Sequence, residues 1–236
     1  MSNLRFGIEL ELANLDYDFA KYKFKTQKNA IQYTEFGPLY IYGKAWKLEK
    51  DTSIQSKFGF EGVELVSPIL TIDDLGIYHK VVNDLFEFGA SVDDSCGMHI
   101  HVDGAKFDSH SLQRLQLKFA NEQDKLYDEF DCISSNGKYK KYCKKLPQQY
   151  IEKLKILKNP IMLELKRLWY EELGTGYPPR GYKSNISRYY GLNLHSFFVT
   201  HGTIEFRFFR STNDLNEIDN AVKFCLNFCE KALKGE

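Results

Sequence analysis

Leu4-Arg5-Phe6-Gly7-Ile8-Glu9-Leu10-Glu11-Leu12 alternates around Phe6, Ile8, Leu10 and Leu12. A period of two is the signature of a strand with one apolar face, so Glu9 and Glu11 share the opposite face. Two carboxylates two apart on one strand face repel each other, and a protein that buries them needs a cation there. Hard oxygen ligands of this kind suit Mg²⁺ or Mn²⁺. The competing reading is an edge strand with a solvated acidic face.

Working outward, further strand patterns run over Leu39 to Tyr42, Trp46 to Lys50, Gly62 to Ser67, His99 to Val102, Tyr190 to His195 and Gly202 to Phe209, several rich in aromatic or β-branched residues. Together they predict a sheet of six or seven strands. Helical patterns separate them over Ile72 to Phe88, Ser109 to Phe130, Gln148 to Glu172 and Leu215 to Leu233, the last with Asp214 or Asn213 as N-cap. Strands gathered towards both ends, with helices between, predict an α+β fold instead of an alternating doubly wound one.

Bulk properties bound the function. A chain of 236 residues can bury one substantial core, which predicts a single catalytic domain with room for an insertion. Thirty-two basic residues balance thirty-two acidic ones, so no global positive field drives binding to nucleic acid or to an anionic membrane. The first residues have no apolar leader and no stretch reaches bilayer length, which predicts a cytoplasmic protein. Cys96, Cys132, Cys143, Cys225 and Cys229 are odd in number and irregularly spaced, which predicts reduced thiols.

Four more segments combine residue types that do chemistry. In Cys96-Gly97-Met98-His99-Ile100-His101-Val102-Asp103 the two imidazoles point to one side of a strand, where both could reach one metal or phosphate; a structural histidine pair is the alternative. In Gly202-Thr203-Ile204-Glu205-Phe206-Arg207-Phe208-Phe209-Arg210, alternation puts Glu205 and Arg207 on one face and Ile204, Phe206 and Phe208 on the other. That is either a plain ion pair or a carboxylate on metal beside a guanidinium on phosphate. Glu64 projects from between Val63 and Leu65 in a strand that Pro68 ends, a further candidate metal ligand downstream of Asp51-Thr52-Ser53. Arg188 and Asn193 lie in Ser187-Arg188-Tyr189-Tyr190-Gly191-Leu192-Asn193-Leu194. Arg188 gains weight because the Walker-like stretch Gly37 to Lys44 has one residue too many and Ala45 in place of Ser or Thr. The lysines between Asn136 and Lys158 read as a solvated face, with a polyanion site as the minority reading, and Gly174 to Gly181 reads as a loop of the kind that covers active sites.

In this order, Phe-Gly-Ile-Glu-Leu-Glu (6 to 11), Asp-Thr-Ser (51 to 53), Val-Glu-Leu-Val-Ser-Pro (63 to 68), Cys-Gly-Met-His-Ile-His-Val-Asp (96 to 103), Arg-Tyr-Tyr-Gly-Leu-Asn-Leu (188 to 194) and Gly-Thr-Ile-Glu-Phe-Arg-Phe-Phe-Arg-Ser-Thr (202 to 212) resemble the putative amidoligase family. That family belongs with the glutamine synthetase and glutamate–cysteine ligase superfamily of carboxylate–amine ligases. The resemblance implies a single glutamine-synthetase-like catalytic domain over residues 1–236: a mainly antiparallel curved sheet, helices packed on one side and a mostly helical insertion at about residues 106 to 180, where none of these motifs falls. It implies ATP and Mg²⁺ or Mn²⁺, with Glu9, Glu11, Glu64, His99 and Glu205 as metal ligands. His99, Arg207, Arg188 and Asn193 would hold the nucleotide, Arg207 and Arg188 would contact the transferred phosphoryl group, and His101 would lie towards substrate. The implied reactants are a carboxylate and an amine, such as an amino acid or a peptide, with no specific nucleic acid and no membrane. Three rivals stay open on sequence alone: a metal-dependent hydrolase, a Cys96 nucleophile assisted by His99 or His101, and a non-catalytic nucleotide-binding protein of the same fold.

Overall fold

The alternating stretch forms strand β1, Phe6–Leu15, in which Phe6, Ile8, Leu10 and Leu12 are buried and Glu9 and Glu11 are half-buried. The structure, a computed structural model, describes residues 3–26, 39–132, 141–179 and 185–236. Its chain divides into two compact units, one of Asn3–Ile100 with Arg210–Val222 and the other of His101–Phe209 with Lys223–Glu236.

In the first unit β1 is followed by α1 (Tyr17–Thr26), β2 (Leu39–Ile41), β3 (Lys44–Lys50), β4 (Glu61–Val66), α2 (Leu75–Glu87) and the start of β5 (Gly97–Asp103). The strands lie in the order β2-β3-β4-β1-β5, and β2 with β3, β3 with β4 and β1 with β4 pair antiparallel. Positive φ at both Tyr42 (51°) and Gly43 (76°) is the mark of the two-residue hairpin turn whose twist matches that of its strands. The register puts Leu10 beside Leu65 and Leu65 beside Leu48, and one step along puts Glu11 beside Glu64 and Glu64 beside Glu49. One face is therefore apolar and the other acidic. α2 turns Leu75, Tyr78, Val81, Val82 and Leu85 inward, one stripe at helical spacing, and Tyr78 meets Trp46 of β3 with ring centres 5.9 Å apart. A short 3-10 turn, Ile72–Asp74, stands where the helical pattern had been expected to begin.

β1 ends irregularly. Its register with β4 shifts between Leu12 and Leu15, where Asn14 adopts a positive φ of 58°. The Asn14 side chain accepts from Lys57 N (2.8 Å) and donates to Ser91 Oγ (2.7 Å), and Ser95 Oγ accepts from Gln55 N (3.0 Å). These bonds tie the β3–β4 loop, which carries Asp51-Thr52-Ser53, to the strand that bears the acidic pair.

The second unit holds the end of β5, α3 (Ser109–Glu129), α4 (Gln148–Ile156), α5 (Met162–Leu173), β6 (Leu192–Asn193) and most of β7 (Thr203–Arg210), with the last turns of α6 (Leu215–Lys234). β7 stands between β5 and β6 and pairs antiparallel with β6, Leu192 beside Phe206 and Asn193 beside Glu205. Phe208 stacks on Tyr127 of α3 (5.7 Å, 20° between planes), and Phe119 of α3 packs edge-on to Phe228 of α6.

Two sequence expectations are corrected. The single helix over Gln148 to Glu172 is two helices, because Pro160 lacks an N–H and its ring would collide with the preceding turn. The strand over Tyr190 to His195 shrinks to Leu192–Asn193, since Ile186–Tyr189 is a 3-10 turn and His195 leads into a π-helical turn, Ser196–Thr200. The expected cap of α6 is present: Asp214 Oδ1 accepts from Asn216 N at 2.8 Å. Lys138, Lys140, Arg180, Gly181 and Gly37 lie outside the described residues, whereas Lys145 and Lys153 form ion pairs with Asp124 and Glu172. Lys44, the last residue of the Walker-like stretch, pairs with Asp74. Among the described residues no helix is long and apolar enough to cross a membrane.

Candidate functional site

In the first unit the acidic face converges on His99. Its Nδ1 lies 3.1 Å from Glu9 Oε2 and its Nε2 3.9 Å from Glu11 Oε1. Glu11, Glu64 and His99 each offer one ligand atom, all within 4.8 Å of one another. Cross-strand pairing forces Glu11 and Glu64 side by side, an arrangement that repels unless a cation lies between them. Two carboxylates and one imidazole could hold one divalent cation: the carboxylate oxygens suit hard ions such as Mg²⁺ or Mn²⁺, and the imidazole nitrogen suits softer ones such as Zn²⁺ or Fe²⁺. Gly97 matters for a local reason: its N–H donates to Glu11 Oε2 at 2.7 Å and so aims that carboxylate. Ser211 Oγ donates to Glu11 O (2.6 Å), fixing the backbone beneath it.

In the second unit Glu205 is 4% exposed, and a buried carboxylate needs partners. Arg207 Nη1 donates to its Oε1 (2.5 Å) and Asn193 Nδ2 to its Oε2 (2.6 Å). His101 Nε2 stands 3.8 Å from Oε2. On the other side of that imidazole, Nδ1 lies 2.9 Å from Thr203 Oγ1, which in turn is 2.7 Å from Ser196 Oγ. Arg188 lies on the 3-10 turn before β6, its guanidinium carbon 5.7 Å from the centre of the Tyr189 ring.

Cys96 is a poor nucleophile. It is buried with Ala13 and Ile54, and burial pushes its thiol up to about 12. The sequence reading overlooked Glu49, Thr203 and Ser196. Glu49 was within reach of it, since alternation around Leu48 puts it on the polar face of β3, next to Glu64 once the register is known. Ser196 belongs to a π-helical turn that no periodicity announces.

An antiparallel sheet with carboxylates and imidazoles set out along its strands defines a mixed α/β protein with a side-chain group that could hold a metal ion. The family model described as putative amidoligase enzyme matches residues 2–229, and the chain belongs to that family. Membership marks it as a ligase of some kind. No curated protein matches the chain significantly.

Proposed function

We propose that the protein is an ATP- and magnesium-dependent ligase that joins a carboxylate to an amine on a glutamine-synthetase-like fold. The observation that supports it best is the convergence of Glu11, Glu64 and His99, a costly gathering of like charge unless a divalent cation shares it. In this reading Glu9, Glu11, Glu64 and His99 of the first unit, and Glu205 of the second, would each be metal ligands, and Mg²⁺ so held would neutralise phosphate charge. Arg207 and Arg188 contact the transferred phosphoryl group, Asn193 assists at the nucleotide, and His101 lies towards substrate. The substrate carboxylate attacks the γ-phosphorus, ADP leaves, and the amine displaces phosphate from the resulting acyl phosphate. A free carboxylate has no usable leaving group at neutral pH, and phosphorylation supplies one. The side chains therefore act by positioning and by neutralising charge. The Glu205–Arg207 pair suits this: the guanidinium is held in one orientation before phosphate arrives.

The test is ADP release from ATP and Mg²⁺ in the presence of panels of acids and amines. Release should need both reactants, and Glu205→Ala and Arg207→Ala should each lower it by at least about a hundredfold while the protein stays folded. Turnover of a substrate without nucleotide would favour the hydrolase reading, and full activity in both variants would overturn the residue assignments.

A further inference from the structure

Two of the four thiols in the second unit, none of which the proposed ligase chemistry uses, lie side by side. Cys132, just past α3, and Cys143 are both buried, and their sulfurs lie 3.6 Å apart. Tyr127 completes the group: its hydroxyl donates to the carbonyls of Cys143 (3.3 Å) and Lys144 (3.1 Å) and lies 3.5 Å from Cys143 Sγ. Gly191 is required beside it, because a Cβ there would overlap the Tyr127 hydroxyl.

We propose that Cys132 and Cys143 form a reversible oxidation site, closed to a disulfide by a small hydroperoxide. Sulfurs at 3.6 Å need only a short approach to reach the bonded separation of about 2.05 Å. The two thiols are also unlike. Burial pushes Cys143 up, but its hydrogen bonds with Cys132 and Tyr127 and the nearby Arg207 charge outweigh it and hold Cys143 below the ordinary thiol range. The hydrogen bond to Cys143, together with burial, pushes Cys132 up. Cys143 Sγ is the sulfur that has the Tyr127 hydroxyl beside it, at 3.5 Å, which makes Cys143 the attacking thiolate and Cys132 the resolving thiol. Cys96, Cys225 and Cys229 are all raised by burial and serve as internal controls.

The chemistry balances. Cys143 sulfur attacks a peroxide oxygen; the O–O bond breaks, its far oxygen leaves as water or alcohol, and an S–O bond forms. Cys132 then attacks that sulfur; the S–S bond forms, the S–O bond breaks, and the oxygen departs as water with the Cys132 proton. Two thiols lose two electrons in total and the peroxide gains them. Burial selects the oxidant, since Cys132 and Cys143 are 1% and 6% exposed, out of reach of a docked peptide disulfide, whereas hydrogen peroxide is little larger than water.

Closure has a mechanical consequence. Lys144, next to Cys143, accepts from Gly191 N (2.9 Å), and Gly191 O accepts from Arg207 N (2.7 Å). Drawing the sulfurs together by roughly 1.5 Å pulls on this chain of backbone bonds and hence on the strand that carries Arg207.

The experiment treats the full chain with hydrogen peroxide or with glutathione disulfide, then alkylates it under denaturing conditions and maps the peptides by mass. Peroxide should give a Cys132–Cys143 linkage that dithiothreitol reverses, leave the other three cysteines alkylated, and speed amide exchange at Gly191 and Arg207 by about tenfold, equivalent to roughly 1.4 kcal/mol of local stability. Cys132→Ser should abolish the linkage and leave a sulfenic acid on Cys143 that dimedone traps. Free, alkylatable Cys132 and Cys143 after peroxide would overturn the site. Linkage by glutathione disulfide would overturn the choice of oxidant, and unchanged exchange in the linked protein would overturn the coupling. None of these readouts uses nucleotide, so the ligase reading fails or survives separately.

Discussion

Asn193 is held by both ends of its amide. Its oxygen accepts from His195 N (2.8 Å), which leaves the nitrogen to donate to Glu205 at 2.6 Å. The family resemblance implied a contact with nucleotide; the structure adds a positioning role, because this amide and Arg207 orient one carboxylate from two sides. Asn193→Leu removes two hydrogen bonds from buried groups while keeping the number of side-chain heavy atoms, and should lower stability by about 1–3 kcal/mol in urea unfolding. An unchanged midpoint would show that the amide does not restrain Glu205. The faces of single strands were readable from alternation, as at Glu9, Glu11, Glu205 and Arg207. Asn193 was not, because its partner depends on the pairing of β6 with β7 across twelve residues.

At the scale of elements, α3 begins at Asp108, whose Oδ1 accepts from Ser111 N (2.7 Å) and from Ser111 Oγ (2.6 Å). The Ser111 side-chain bond, then the backbone one, holds this carboxyl below its ordinary range. A depressed folded pKa stabilises the protein above the unfolded pKa of about 3.9 and loses that contribution as pH falls through the folded value. Asp108→Ala should therefore cost about 1 kcal/mol at neutral pH, with the gap in melting temperature closing below about pH 4. Melting curves of both proteins from pH 7 to pH 3 would check it, and a gap independent of pH would sink it. Element types were mostly legible from periodicity, and the break at Pro160 could have been read from proline chemistry. The π-helical turn after His195 could not, since its apolar Phe197, Phe198 and Val199 follow no helical stripe.

For the whole molecule, family membership was legible because six short motifs fall in order along nearly the entire chain. The two units were not, because each collects segments far apart in sequence, residues 210–222 joining residues 3–100 in one of them. α6 shows the consequence: of its buried residues, Ile218, Ala221 and Val222 belong to the first unit and Leu226, Phe228 and Cys229 to the second. Each large buried side chain contributes about 1.5–3 kcal/mol, against a total stability of roughly 5–15 kcal/mol for an ordinary domain. A chain ending at Phe209 should lose cooperative thermal unfolding in both units, observed as the absence of a sharp transition in near-ultraviolet circular dichroism. A retained transition would show that one unit holds together without α6. The aligned carboxylates of β1, β4 and β3 bear on assembly as well. Were β4 to slip by one residue against β1, Val63 and Leu65 would face water and Glu64 would enter the apolar interior. Mispaired intermediates of that kind are penalised twice, so the acidic residues assigned here to chemistry also proofread strand pairing while the chain folds.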